Sequence, residues 1–239
     1  MSAIVSARTD GRHPPAARYA VLCSAGLDSV VLVAHLAKTA LVQPLYVSVG
    51  LAWEAAEQDY LSRVMATAAF ADQVLPPLVL RFEMSDVYPP THWAIRGTPP
   101  AFDTPDEDVY LVGRNVVLLT KAAVSAGTRR IPEIAIGPLA GNPFPDATPE
   151  FFDAMARALS LGLAHPLRIV APFREMDKSE VIRIGVELGV DLALTLSCMN
   201  PKGDANTHCG ACSKCRERVD AFREAGVADP TTYATPPPR

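Results

Sequence analysis

Four of the five cysteines in this 239-residue chain fall close together. They are Cys198, Cys209, Cys212 and Cys215, spaced C-x10-C-x2-C-x2-C. Two overlapping C-x2-C units let the sulfurs converge from a tight turn, and Gly210 suits that turn. Four thiolates make a closed tetrahedral site for one Zn²⁺. A closed site has no open position for water, so its role would be structural. An iron–sulfur cluster also takes four cysteines and is the rival reading. His208 neighbours the site but finds its four positions taken, and is expected to be exposed or to sit behind the ligands. Cys23 falls on an expected buried strand, where an inert core thiol is the ordinary reading.

A second group lies near the other end. Ser24-Ala25-Gly26-Leu27-Asp28-Ser29 joins an expected strand to an expected helix. Small residues let the backbone approach a phosphate, and a helix start offers it free N–H groups. Ser24 and Ser29 add hydroxyls. Asp28 would repel a bare phosphate, so a bridging Mg²⁺ is implied. The lysine of a Walker A loop is absent. The plain alternative is a helix cap with no ligand.

The elements that must position these groups alternate. Tyr19–Cys23, Pro44–Val49, Leu78–Phe82, Glu133–Ile136 and Leu167–Val170 read as strands. Leu27–Ala40, Glu54–Ala71, Tyr110–Ala126, Pro149–Leu161, Asp177–Leu188 and Ser213–Glu224 read as helices. Asp177-Lys178-Ser179-Glu180 has the form of a capping box. Such alternation predicts an α/β fold, a doubly wound parallel sheet covered on both faces, with ligands beyond the carboxyl ends of its strands. Residues 85–108 hold five prolines and little periodicity, as in a functional loop, a lid or disorder. The expected organisation is a leader over 1–17, a nucleotide-binding domain over 18–193, a small zinc segment over 194–233 packed on it, and a tail over 234–239.

Net charge is −4. That balance points to a small-molecule partner and away from nucleic acid, although Lys214, Arg216, Arg218 and Arg223 could form a local basic patch. No apolar run is of membrane-spanning length, and no signal peptide is visible. A cytoplasmic protein with reduced thiols is expected.

The loop resembles the PP-loop of the N-type ATP pyrophosphatases, written S-G-G-x-D-S. Together with the cysteines it resembles one family, 7-cyano-7-deazaguanine synthase, from about Tyr19 to Tyr233. Gly113-Arg114-Asn115 is similar to that family's G/A-R-N helix start. Pro149 to Gly162 resembles its helix after Y-P-D-C. Pro172 to Asp177-Lys178 is similar to its P-L-x-x-x-D-K, with Phe173 for leucine. Asp229-Pro230-Thr231-Thr232-Tyr233 fits its ending. The resemblance implies an adenine nucleotide alpha hydrolase-like fold and an ATP-dependent ligase of queuosine biosynthesis. A 7-deazaguanine carboxylate would become an acyl-adenylate, then an amide by ammonia, then a nitrile by a second ATP. It implies ATP and Mg²⁺ on the loop residues Ser24 to Ser29 with Gly113, Asn115 and Lys178. Ser24, Asp28 and Arg114 would be catalytic. A homodimer is the assembly it suggests.

Departures from the family pattern fall on the substrate side. Ala25 replaces the first loop glycine. The family's D-Y-G-Q-x-H appears as residues 48–54, with Gly50 alone clearly kept. Its D-x-S-G-Y-P-D-C appears as residues 141–147, keeping Pro145 and Asp146. Asp146 could read a guanine-like edge or cap the helix from Pro149; Phe144 could stack on a heterocycle or pack. Trp53 has the same two readings, and Asn115 could cap its helix instead of touching ligand. His92 and His165 are not expected to be ligands. Three alternatives stay open: a divergent ligase joining a related carboxylate to another amine, a tRNA thiolase, and a zinc-stabilised binding protein with a decayed loop.

Overall fold

A computed structural model describes residues 17–238. The expected leader lies, except for Ala17, outside the described residues. Five strands form one sheet: β1 (Tyr19–Leu22), β2 (Val42–Ser48), β3 (Leu78–Arg81), β4 (Glu133–Ala135) and β5 (Arg168–Val170). Their order is β3-β2-β1-β4-β5, and every neighbouring pair is parallel. Parallel pairs need crossovers, which here are mostly helices. They are α1 (Leu27–Ala37), α2 (Glu54–Met65), the short α3 (Trp93–Arg96), α4 (Arg114–Thr128), α5 (Pro149–Leu163), α6 (Lys178–Glu187) and α7 (Ser213–Ala225).

Strand periodicity divides the core. Val21, Tyr46 and Ala135 face the layer that holds α1, α6 and α7. Ala20, Leu22, Leu45, Val47 and Ile134 face the layer that holds α4 and α5. The expected doubly wound sheet is therefore the observed one. On the first layer α6 comes very close to α1: a Cβ on Gly185 would stand 2.8 Å from Val31 Cγ2. The cysteines belong to this same core, with Cys198, Cys209, Cys212 and Cys215 all buried in it.

Several boundaries differ from the sequence reading, for identifiable reasons. The helix expected from Tyr110 starts at Arg114, because Gly113 takes φ +76° and breaks the run. The helix expected to reach Ala71 stops at Met65; Thr67 turns extended and a 3-10 turn covers Ala68–Phe70. The first helix ends at Ala37, not Ala40. Strand β2 begins earlier, at Val42, and contains Pro44. Pairing with β3 begins only at Leu45, so the missing proline N–H falls ahead of that ladder.

The proline-rich stretch 85–108 is packed down. Tyr88 and Ala94 are buried. The Ala52 amide donates to Ala94 O over 3.0 Å. Trp93 stacks on Trp53 with ring centroids 5.8 Å apart. Arg216 donates to Phe102 O over 2.8 Å, tying the stretch to α7.

Candidate active site and metal centre

The four cysteine sulfurs lie within 4.8 Å of one another. Cys212 Sγ is 3.6 Å from Cys215 Sγ and 4.0 Å from Cys198 Sγ, and Cys209 Sγ is 3.9 Å from Cys215 Sγ. A tetrahedron with metal–sulfur bonds of about 2.3 Å has edges of about 3.8 Å, so the group fits a zinc-sized ion. Backbone amides support the sulfurs. Asn200 and Cys209 each donate to Cys198 Sγ over 3.2 Å, and Ala211 donates to Cys209 Sγ over 3.4 Å. Gly210 takes φ +78°, and a Cβ there would collide with Thr235 O. The glycine is thus required by the turn and by the chain passing over it.

His208 is buried, not exposed. Its Nε2 accepts the Ser197 amide over 3.1 Å. Burial, with Arg218 nearby, pushes its pKa down to about 3, so it stays a neutral acceptor. Arg218 leaves the basic cluster that the sequence suggested, because it is buried. Arg218 is fully buried and donates to Thr231 Oγ1, Thr195 Oγ1, Ser197 Oγ and Leu192 O. Lys214 pairs with Glu217, and Arg223 with Asp220. The Arg218 contact to Thr231 pins the chain's ending to α7, while the other two pairs lie within the helix.

A cleft opens beyond the carboxyl ends of β1 and β4, the point where the strand order reverses. It has two chambers of ≈ 300 and ≈ 430 Å³. The first reaches Tyr46, Tyr110 and Asp146; the second reaches Lys178, Lys214 and Glu217. Ser24, Gly26, Asp28, Glu57 and Arg114 line both, together with Gly137, Pro138, Asn142 and Phe144, and so form the throat between them.

The loop residues join β1 to α1. Gly26 opens α1 with no side chain capping the helix start, so the plain helix-cap alternative does not account for Ser24. Ser29 Oγ donates back to Gly26 O over 2.9 Å. Ala25 takes φ +63°, the conformation glycine favours, yet its methyl is fully buried. Asp28 Oδ2 is 3.1 Å from Lys178 Nζ, while none of the described residues gives Oδ1 a hydrogen bond. Burial pushes the Asp28 pKa up, against the pull of Lys178. A buried carboxylate oxygen with no donor is a natural ligand for a hard cation, so the residues present fit Mg²⁺. Arg114 Nε is likewise buried without a partner. Lys178 also pairs with Glu217, which accepts from Lys214 as well. The capping box is complete: Asp177 Oδ1 accepts the Glu180 amide, and Glu180 Oε2 the Asp177 amide.

The substrate-side residues are engaged with each other. Asp146 does not cap α5; Thr148 does, accepting the Phe151 amide over 3.2 Å. Asp146 instead receives the Asn115 amide over 3.1 Å and the Asn115 side chain over 3.2 Å at the start of α4. Phe144 stacks on Tyr110 at 5.1 Å. His92 caps α3 and His165 meets Ile131 O, both away from the cleft wall.

Among the cleft residues that sequence reasoning passed over are Glu57 and Glu217. Glu57 falls inside the expected helix Glu54–Ala71 with no role assigned from sequence. It is buried, and accepts from Tyr46 Oη over 2.8 Å and Trp53 Nε1 over 3.2 Å. Its signal was positional: it leads the otherwise apolar stripe Tyr60, Leu61, Val64. Glu217 was hidden because its partner Lys178 is remote in sequence.

Comparison with known proteins decides the family. The sequence model described as "Queuosine biosynthesis protein QueC" matches residues 18–226. The chain belongs to the QueC family. Among curated relatives, a 7-cyano-7-deazaguanine synthase of Methanothrix thermoacetophila is 32% identical over 225 residues, 90% of this chain and 98% of the relative. One of Methanopyrus kandleri is 46% identical over 92 residues, 38% of this chain and 40% of the relative. One of Methanoculleus marisnigri is 42% identical over 128 residues, 52% of this chain and 56% of the relative. The latter two matches thus span about half or less of each relative. QueC proteins are PP-loop proteins, which agrees with the loop at Ser24–Ser29. The buried four-cysteine group of this QueC chain can hold a metal such as zinc. No helix among its described residues is long and apolar enough to cross a membrane.

Proposed function

We propose that this QueC-family chain is an ATP-dependent carbon–nitrogen ligase that converts a 7-deazaguanine carboxylate, through an acyl-adenylate and an amide, to the nitrile. One observation carries the reading: a two-chambered cleft whose throat is formed by the PP-loop and Arg114. Two reactants need two chambers, and an adenylation needs them to meet at the α-phosphate. A carboxylate oxygen is a poor leaving group, and its transfer to AMP makes it a good one.

The chain's own residues supply the rest. Backbone N–H groups at the start of α1, with Ser24, receive the pyrophosphate. Lys178 and Arg114 face it with positive charge. Asp28, with its unpartnered oxygen, would hold Mg²⁺, which when bound offsets the charge of the departing pyrophosphate. The four cysteines would hold Zn²⁺, which when bound staples residues 198–215 into the core. Ammonia is the amine of the first reading, and a small-molecule carboxylate its partner.

A second reading is favoured by the substrate side. Phe144 is stacked on Tyr110, Asp146 is turned to Asn115, and Trp53 is stacked on Trp93. Phe144 and Trp53 stand where the family pattern has other residues, and the Asp146 that is kept is turned away to Asn115, which supports a divergent ligase that joins a related carboxylate to another amine. A tRNA thiolase gains no support, since the basic residues of α7 are spent on internal contacts.

The test is incubation with Mg²⁺, ATP and 7-carboxy-7-deazaguanine, with and without ammonium, following AMP by chromatography and products by mass. Nitrile supports the first reading. AMP with amide only, or with another amine only, supports the second. No AMP with any carboxylate would sink both and leave a non-catalytic binding protein.

A further inference from the structure

Forming an amide raises a problem that the loop does not solve. As the C–N bond forms, the nitrogen must shed a proton, and a group must stand at the acyl carbon to take it. None of the residues already assigned suits that task. Ser24 and Arg114 are donors, Lys178 is a cation, and Asp28 is paired to Lys178 and aimed at a metal.

Glu57 stands in the right place. It is the one glutamate among the residues that line both chambers, so it stands on the wall they share. It is an ionisable side chain in a buried position, with 7% of its surface exposed. Its carboxylate is held at both oxygens, by Tyr46 Oη and by Trp53 Nε1, which fixes its orientation without protonating it. A residue placed this way at a core position of α2 contributes nothing to packing that a leucine would not do better.

We propose that Glu57 is the catalytic base of the amination step, taking one proton from the attacking amine nitrogen. The proposal rests on the ligase reading above and deepens it. The nitrogen lone pair of ammonia forms the bond to the acyl carbon. The bond from that carbon to the AMP oxygen breaks, and AMP leaves with the electron pair. The proton lost by nitrogen goes to the Glu57 carboxylate, which returns it to water after AMP departs. Acyl-adenylate, ammonia and carboxylate thus become amide, AMP and carboxylic acid, with charge conserved.

The electrostatics are consistent with this task. Burial raises the Glu57 pKa to about 7, and Arg114, Tyr46 and Trp53 pull against that rise. Glu54 on the same helix raises it further. From the β1 side it faces the Cys23 thiol, itself pushed up by burial to about 11 and so neutral. A base with a pKa near the working pH is the most effective kind.

The experiment separates the two half-reactions of the full-length protein. Adenylation is read by pyrophosphate–ATP exchange with 7-carboxy-7-deazaguanine and no ammonium. Amination is read by amide formation at constant free ammonia across pH 5.5–9, a range of roughly two units either side of the base. Glu57→Gln should keep exchange within a few-fold, while amide formation falls about 100-fold, as for loss of a general base. The wild-type rise through about pH 7 should vanish in the variant. Tyr46→Phe removes a hydrogen bond that favours the carboxylate, so it should move that rise to higher pH. Equal amination by Glu57→Gln, or an unchanged pH limb, overturns the proposal alone. Loss of exchange in Glu57→Gln also overturns it, by assigning Glu57 to binding the first substrates. Absence of exchange in the wild-type protein overturns the underlying ligase reading, and the proposal with it.

Discussion

The Leu196 amide donates to the Ala25 carbonyl over 2.9 Å, so the PP-loop and the strand of chain leading to Cys198 share a hydrogen bond. The residue that accepts it is the one that departs from the family's glycine. Ala25 sits at φ +63°. For a residue with a side chain that conformation costs about 1–2 kcal/mol. Glycine would avoid the cost but lose about 0.5–1 kcal/mol to backbone entropy. It would also lose a buried methyl, worth about 0.8 kcal/mol. The effects nearly cancel. Ala25→Gly is therefore expected to change unfolding free energy by less than about 1 kcal/mol, with AMP formation kept. Denaturant titration checks it; a gain above about 2 kcal/mol would mean that strain dominates. The alanine is then an accommodated residue and no sign of a decayed loop.

Lys178 offers a sharper test of the loop's surroundings. It is held between Asp28 on α1 and Glu217 on α7, and it lines the second chamber. Lys178→Met should cut AMP formation at least about 10-fold, because a charge-assisted contact to phosphate is worth about 1.5–3 kcal/mol. Glu217→Gln keeps that cation and so should hurt stability more than activity. Unaltered AMP formation in Lys178→Met would show that the lysine serves only to join α6 to α7.

The two cleft glutamates Glu57 and Glu217 should leave opposite marks on the pH dependence of stability. Burial opposes ionisation of Glu217, but Lys178 and Lys214 outweigh it and hold its pKa at about 2. Its contribution is fully present above its ordinary value of 4.5 and is lost as pH falls toward 2. Glu57 is raised from 4.5 to about 7, so the folded state binds its proton more tightly than the unfolded chain does. Stability therefore declines as pH rises between those values. A shift of that size corresponds to about 3 kcal/mol. Wild-type protein should lose stability from pH 5 to pH 8 by an amount of that order relative to Glu57→Gln, the pH points being rough brackets of the shift. The slope is the useful quantity, because Gln also leaves one of the two donors unpaired at every pH. Parallel melting curves of the two proteins across this range would sink the assignment.

Much of this was legible in the sequence. The strands alternate with helices strongly enough to give the parallel sheet, and the cysteine spacing gives the metal group. Asp177 to Glu180 announced its own capping box. What stayed hidden depends on groups far apart in sequence. The break at Gly113 needs the φ +76° that only the fold imposes. Asp146 reads locally as a cap for the helix just after it, but a threonine does that, and its partner is Asn115, remote in sequence. Arg218 reads as part of a basic surface because nothing local shows that Thr195, Ser197 and Thr231 converge on it.

Metal removal should act through that same arginine. The cysteines hold one end of the segment, Arg218 holds α7 to Thr195 and Thr231, and Glu217 reaches the cleft from the same helix. About one zinc per chain is expected for one set of four thiolates. Chelation should leave four buried thiols in contact with no ion between them, loosening residues 198–215 and then Lys178. AMP formation should fall together with the melting temperature and recover on adding zinc. Cys212→Ser should lower both in the same order. Iron with visible absorbance would replace zinc by an iron–sulfur cluster. Full activity after complete metal loss would show that the staple does not support the cleft, and that Lys178 is held by α6 alone.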